Sequence, residues 1–190
     1  STAEQLYQVL FEIDKKKFEN SLETGLMSAL KVDMWNAKYL PLGVQCGSSQ
    51  KTTGVYNSSN LADYIGADAW NQKEDAEPYW TAKPYLLISK IKLQVIATIE
   101  AAFQRDGRVS IAEIYDVLKK APFGFMPCNL TAFVMGFVLK EYLDGTYSWS
   151  DNITNDTLTV TKLKEMVKKV IELQNTPDPR YRNQYIVKLT

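Results

Sequence analysis

The side chains that most often carry chemistry are scarce in this sequence, and their spacing narrows what they could do. There is no histidine. That removes Ser-His-Asp and Cys-His catalysis, histidine metal sites and histidine pH switches. The two cysteines, Cys46 and Cys128, are far apart in the chain. Two distant thiols make neither a zinc site nor a disulfide framework, so both are expected to be reduced and buried. A reactive cysteine usually needs a nearby cation or base; Lys51 is the one cation close to Cys46 in sequence, and nothing basic lies near Cys128. The stretch Gly47-Ser-Ser-Gln-Lys51-Thr52 ends like a phosphate loop. That motif needs glycine immediately before the lysine and another five residues earlier, so that backbone amides can cradle phosphates. Gln50 and Gln45 occupy those places, and a polar loop is expected instead. Glu74, Asp75 and Glu77 could do acid–base work only in a cleft that perturbs their pKa values. On a polar loop they are expected to be solvated. Neither a catalytic residue nor a metal or cofactor is expected.

Positive charge is the remaining candidate for chemistry at a surface. The chain has 22 basic and 22 acidic side chains among 190 residues. Residues 1–87 carry 8 basic and 11 acidic groups, residues 88–145 carry 7 and 6, and residues 146–190 carry 7 and 5. The gradient is shallow, so long-range steering of phosphate-rich partners is expected to be weak. Its basic end holds Lys162, Lys164, Lys168 and Lys169, with Arg180 and Arg182 beyond them. If nucleic acid binds, Lys164, Lys168, Arg180 and Arg182 are the candidate contacts. A solvated charged face is the alternative, since Glu165 and Glu172 share that segment. The run Lys15-Lys16-Lys17 is read as cations at the carboxyl pole of a first helix, over residues 3–17.

The elements that must position these groups can be read from periodicity and punctuation. Leu6, Leu10 and Ile13 recur at helical spacing, and Phe18, Leu22, Leu26 and Leu30 form a second, offset phase. Residues 40–87 change character: glycines, serines and prolines surround Tyr56, Tyr64, Trp70, Tyr79, Trp80 and Tyr85. These aromatics are expected to anchor a loop-rich segment onto a helical core, with stacking on a ligand as the alternative. Residues 86–105 predict a long helix ended at Asp106-Gly107. A very short strand at Val109 follows, then a helix opened by a Ser110–Glu113 capping box and stopped by Pro122. A third helix is predicted over Asn129 to Tyr142, a strand over Thr146 to Trp149, a polar turn, and a returning strand over Thr157 to Val160. Thr161 is expected to cap a last helix with Leu163, Val167, Val170 and Ile171 on its apolar face, and residues 185–189 suit a final strand. The Asn-X-Ser/Thr triplets at Asn57, Asn129, Asn152 and Asn155 are read as turn and cap residues. No apolar run reaches the ~20 residues of a spanning helix. With no basic-then-apolar leader at the start, a cytoplasmic location is expected and no membrane is expected as a partner.

The reading is therefore a mainly α (α+β) protein. A helical and loop-rich N-terminal region spans 1–87, and a winged-helix-like domain with an extra C-terminal helix spans 88–190. The segment from Ser110 through Pro122-Phe123-Gly124 to Pro127, with the apolar helix after it and Asp144-Gly145-Thr-Tyr-Ser-Trp149, resembles winged-helix segments of large bacterial P-loop ATPases, including those of phage defence. The likeness covers about residues 88–160. It implies an accessory domain of a larger bacterial protein and transfers no catalytic residue. In most winged helices the third helix reads the major groove with polar and basic side chains. Here that helix carries Phe133, Val134, Met135, Phe137, Val138 and Leu139 around its axis, and its first eleven residues contain no charge. It is expected to be a core helix, covered by the chain or by a partner. Phe133, Phe137 and Trp149 are the candidate protein-interaction residues. The expected function is a non-catalytic protein-interaction or scaffolding domain, whose partner is another protein or other domains of the same chain. The alternative is a DNA-binding, transcription-regulator-like winged helix using the basic residues of 162–182.

Overall fold

A computed structural model describes residues 77–189, save Asn175, together with Leu22, Leu26 and Leu30; at Asn129 and Leu130 it describes the backbone alone. The expected first helix with its lysine run, Cys46, the phosphate-loop-like stretch, Glu74, Asp75, Tyr56, Tyr64 and Trp70 lie outside the described residues. So does most of the proposed 1–87 region.

Among the described residues the order is α1 (Tyr79–Ala82), α2 (Leu87–Asp106), β1 (Arg108–Ser110), α3 (Ile111–Lys119), α4 (Asn129–Leu139), β2 (Tyr147–Ser150), β3 (Asn155–Thr157), α5 (Val160–Leu173) and β4 (Tyr185–Lys188). The fold is mixed, with helices packed around a small antiparallel sheet of order β1-β4-β2-β3. Local chemistry sets most of these boundaries. Gly107 takes φ 75°, the left-handed conformation that ends a helix cheaply, and its amide donates to the Phe103 carbonyl. At the start of α3, Ser110 Oγ accepts from the Glu113 amide at 3.0 Å, and Glu113 Oε2 accepts from the Ser110 amide at 2.9 Å. This reciprocal cap satisfies two amides that the helix itself cannot. Replacing Ser110 by alanine is expected to lower stability by about 1 kcal/mol. A urea titration reads this as a lower midpoint with an unchanged slope.

Four boundaries differ from the sequence reading. The third helix is α-helical only to Leu139 and tightens into a 3-10 turn over Lys140–Leu143. The strand expected at Thr146 begins one residue later, because Asp144 Oδ1 accepts from both the Thr146 amide and its hydroxyl. The returning strand lies at Asn155–Thr157, earlier than Thr157–Val160. The hairpin turn is tight: the Asp151 amide donates to the Thr154 carbonyl at 3.2 Å, so pairing resumes at once. Thr159, not Thr161, caps α5, its hydroxyl accepting from the Lys162 amide at 3.2 Å. Cys128 is a free thiol as expected, but it is half-buried at the start of α4 and not enclosed.

The core runs through both layers. One face of α2 (Ile88, Ile91, Val95, Ile99, Ala102), one face of α3 (Ile111, Ile114, Leu118) and the inner face of α5 (Leu163, Met166, Val167, Val170, Ile171) meet around α4. Leu22, Leu26 and Leu30, the i, i+4 stripe of the second N-terminal phase, are enclosed in the same cluster. In the sheet, Val109, Ile186 and Trp149 lie in one cross-strand row. Val109 and Ile186 close the core from below.

Candidate functional site

The basic residues are positioned by α5 and the turn that follows it. The apolar side of α5 is pinned to the core, which leaves Lys164 and Lys168 half-buried at its outer side and Lys169 exposed. Asp178 caps the next 3-10 turn, Pro179–Arg182, by accepting from the Arg180 amide at 3.0 Å. Three of the four candidate nucleic-acid contacts face a carboxylate of the same chain. Lys168 stands 3.9 Å from Glu172 one turn on. The Arg180 guanidinium grips Asp178 through both its Nε and its Nη2. Arg182 Nη2 donates to Asp116 Oδ2 of α3 at 2.6 Å, tying the last turn to the helix before Pro122. Burial alone would raise the Asp116 carboxyl, but Arg182 and Lys119 override it and hold it below the usual carboxylate range. The same pairing raises the Arg182 guanidinium. An open hollow of ≈ 320 Å³ lies between the end of α5 and this turn, lined by Lys169, Leu173, Thr176, Asp178, Arg180 and Tyr181. It takes in Arg180 but none of Lys164, Lys168 and Arg182.

The candidate interaction residues separate in the same way. Phe133 and Phe137 are 0% and 3% exposed, their rings stacked 6.0 Å apart inside the core. They are therefore interior and offer a partner no surface, which corrects their place among the interaction residues. The reason is that α4 is buried on every side from Thr131 to Lys140, between α2 and α5. Trp149 is half-buried on β2, with Lys162 Nζ 3.8 Å from its ring centre. Beyond it the hairpin tip is stiffened by its own side chains. Asp151 Oδ1 accepts from the Ile153 and Thr154 amides, and Arg108 donates to Asn152 Oδ1 at 2.5 Å while its guanidinium stacks on Tyr185. Ile153 projects from that tip, 91% exposed.

One constellation escaped the sequence reading. Lys92 lies on the buried face of α2, its side chain closed to solvent. Its Nζ donates to the Val138 carbonyl at 2.6 Å and to the Glu141 carboxylate, linking α2 to the end of α4 and the 3-10 turn. The ring centres of Trp80 and Tyr142 stand 4.8 Å and 5.2 Å from it, so a cation sits between two π faces. Tyr79 packs edge-on to Trp80 at 4.9 Å and leans on Phe137 at 5.7 Å. Its buried hydroxyl has no hydrogen-bond partner among the described residues. Burial pushes the Lys92 ammonium down to about 8, against the opposing pull of Glu141. Burial first, and then Glu141, push the Tyr79 and Tyr142 phenols up, so both stay neutral. An amine with a lowered pKa is suited to covalent work only where substrate can reach it. Lys92 is enclosed on all sides, so its work is structural. The available signal was a lysine in phase with Ile88, Val95 and Ile99.

Among the described residues no cluster of three or more carboxylates or thiols could hold a metal ion, and no helix is long and apolar enough to cross a membrane. Comparison of the chain with family models, with curated proteins and with solved structures yields no match.

Proposed function

We propose that this chain is a non-catalytic protein-interaction or scaffolding unit of a larger bacterial protein, built on a modified winged helix. The order α2, β1, α3, α4, β2, β3 follows the winged-helix sequence of elements. The departure is β4, which comes from beyond α5 and separates β1 from the β2–β3 hairpin.

The observation that carries the reading is the burial of α4. A helix enclosed from Thr131 to Lys140 has no face for the major groove and no arginine for guanine. The neighbouring cations add little, because Lys168, Arg180 and Arg182 each face a carboxylate of the same chain. An arginine held in a bidentate pair must give up that pair before it neutralises a phosphate. The hairpin supports a protein partner in place of nucleic acid. Its tip is rigid, bears one apolar side chain, Ile153, and carries Asp151 and Asp156 with no base between them.

Fluorescence anisotropy with a labelled duplex tests this. Little or no saturable binding is expected even at about 50 mM salt, where phosphate contacts are strongest. Binding that is tight there, falls steeply with added salt and weakens in the Lys164→Ala, Lys168→Ala, Arg180→Ala triple variant would overturn the proposal in favour of a DNA-binding winged helix.

A further inference from the structure

We propose that Lys92 is a charge-set latch: as an ammonium it holds Trp80, the carbonyl end of α4 and Glu141 together, and as a neutral amine it releases Trp80 and Glu141 while the core stays closed. The geometry makes the two states different. An ammonium has three donors and a full charge; here it meets one carbonyl, one carboxylate and two aromatic faces. The attraction to the carboxylate and both rings depends on that charge, whereas the bond to the Val138 carbonyl needs only an N–H. Loss of the proton therefore weakens the contacts to α1 and to the 3-10 turn first. Glu141 has somewhere to go, since its side chain is already 20% exposed. The segment affected is α1, which packs on α2. Trp80 is half-buried on α1, and the Tyr79 carbonyl is tethered separately by the Ser89 hydroxyl at 3.2 Å, so α1 can loosen without leaving.

Other titrating groups around Lys92 do not mask the effect. The 3-10 turn presents Glu141 and Tyr142, and α1 presents Tyr79. Both phenols are shifted upwards and stay neutral through the window in which Lys92 titrates. Glu100, further along α2, acts on Tyr142, and Lys140 beside Glu141 has a partner of its own. The direction of the global effect follows from linkage. Lys92 is shifted to about 8 in the fold and returns to the ordinary lysine range on unfolding. Between those values the unfolded chain binds the extra proton, so stability rises with pH there. The latch is thus an arrangement in which a local contact slackens while the fold as a whole becomes more stable.

An NMR titration of the intact chain, with lysine side chains and tryptophan indoles labelled, tests both halves. One lysine signal, absent in Lys92→Met, is expected to titrate near pH 8. The Trp80 indole, assigned by Trp80→Phe, is expected to shift with the same midpoint. In parallel, the folding constant of the wild type is expected to gain on that of Lys92→Met by up to about tenfold per pH unit between 8 and 10. The proposal is overturned if the Lys92 signal does not titrate near pH 8, if the Trp80 indole stays still while Lys92 titrates, or if the ratio of folding constants is flat.

Discussion

Replacing Phe133 by alanine is expected to cost about 3–5 kcal/mol, the range for deleting a large buried aromatic side chain. Phe133 is wholly enclosed and stacks on Phe137, and the helix carrying it has core on every side. Loss of the ring leaves a void that neither solvent nor a surface side chain can fill. The surrounding helices can collapse only in part, so the transfer term and the cavity term both count. A domain of this size has a total stability of about 5–15 kcal/mol, so the variant sits near the threshold of folding. Urea unfolding followed by far-UV circular dichroism measures the loss as a lower midpoint at unchanged slope. Ile153→Ala is the control, because its side chain lies in solvent and a change within about 0.5 kcal/mol is expected. Similar losses at positions 133 and 153 would contradict the account of α4 as the core helix.

Glu141→Gln is expected to be nearly as damaging near neutral pH, by about 3 kcal/mol, for an electrostatic reason. The substitution keeps the shape and removes the charge that Lys92 faces. Breaking one side of a buried pair leaves an uncompensated ion, which is far worse than never having the pair. Lys92 can escape by losing its proton, and this sets the pH dependence. The penalty is greatest below about pH 8, where the wild type holds the ammonium, and it shrinks as alkali neutralises the amine in both proteins. Chemical denaturation at pH 6.5 and at pH 9.5 checks this. A deficit independent of pH would mean that Glu141 acts through packing and not through its charge. A double variant with Lys92→Met is expected to recover much of the loss, since it removes the stranded ion.

Much of the described architecture was legible because its signals are local. The Ser110–Glu113 box, the glycine after Asp106 and the apolar stripe of α5 each act within a few residues, and each lies where the sequence places it. What escaped is carried by pairs distant in the chain. Lys92 and Glu141 are 49 residues apart, and Asp116 and Arg182 are 66 apart. Spacing could not reveal that the candidate basic residues already had acidic partners. Nor could it show that the last strand enters between β1 and β2, since Tyr185 to Lys188 reads equally well as an edge. In the hydrophobic third helix, composition demanded burial but left open what would supply it. The answer is α2 and α5, which withdraws Phe133 and Phe137 from any surface.

The position of β3 has a consequence for how a partner can be met. It is the outermost strand on the hairpin side of the sheet, three exposed residues long, with Asp156 at its centre. The Asp156 carboxylate takes the Thr157 amide for itself. A strand so short and so charged is a poor template for another chain, which disfavours polymerisation from copy to copy along that edge. Recruitment by strand addition is disfavoured on this side for the same reason. Under the proposed interaction role, a partner meeting this hairpin would read side-chain chemistry at its tip, with the main-chain ladder left unread.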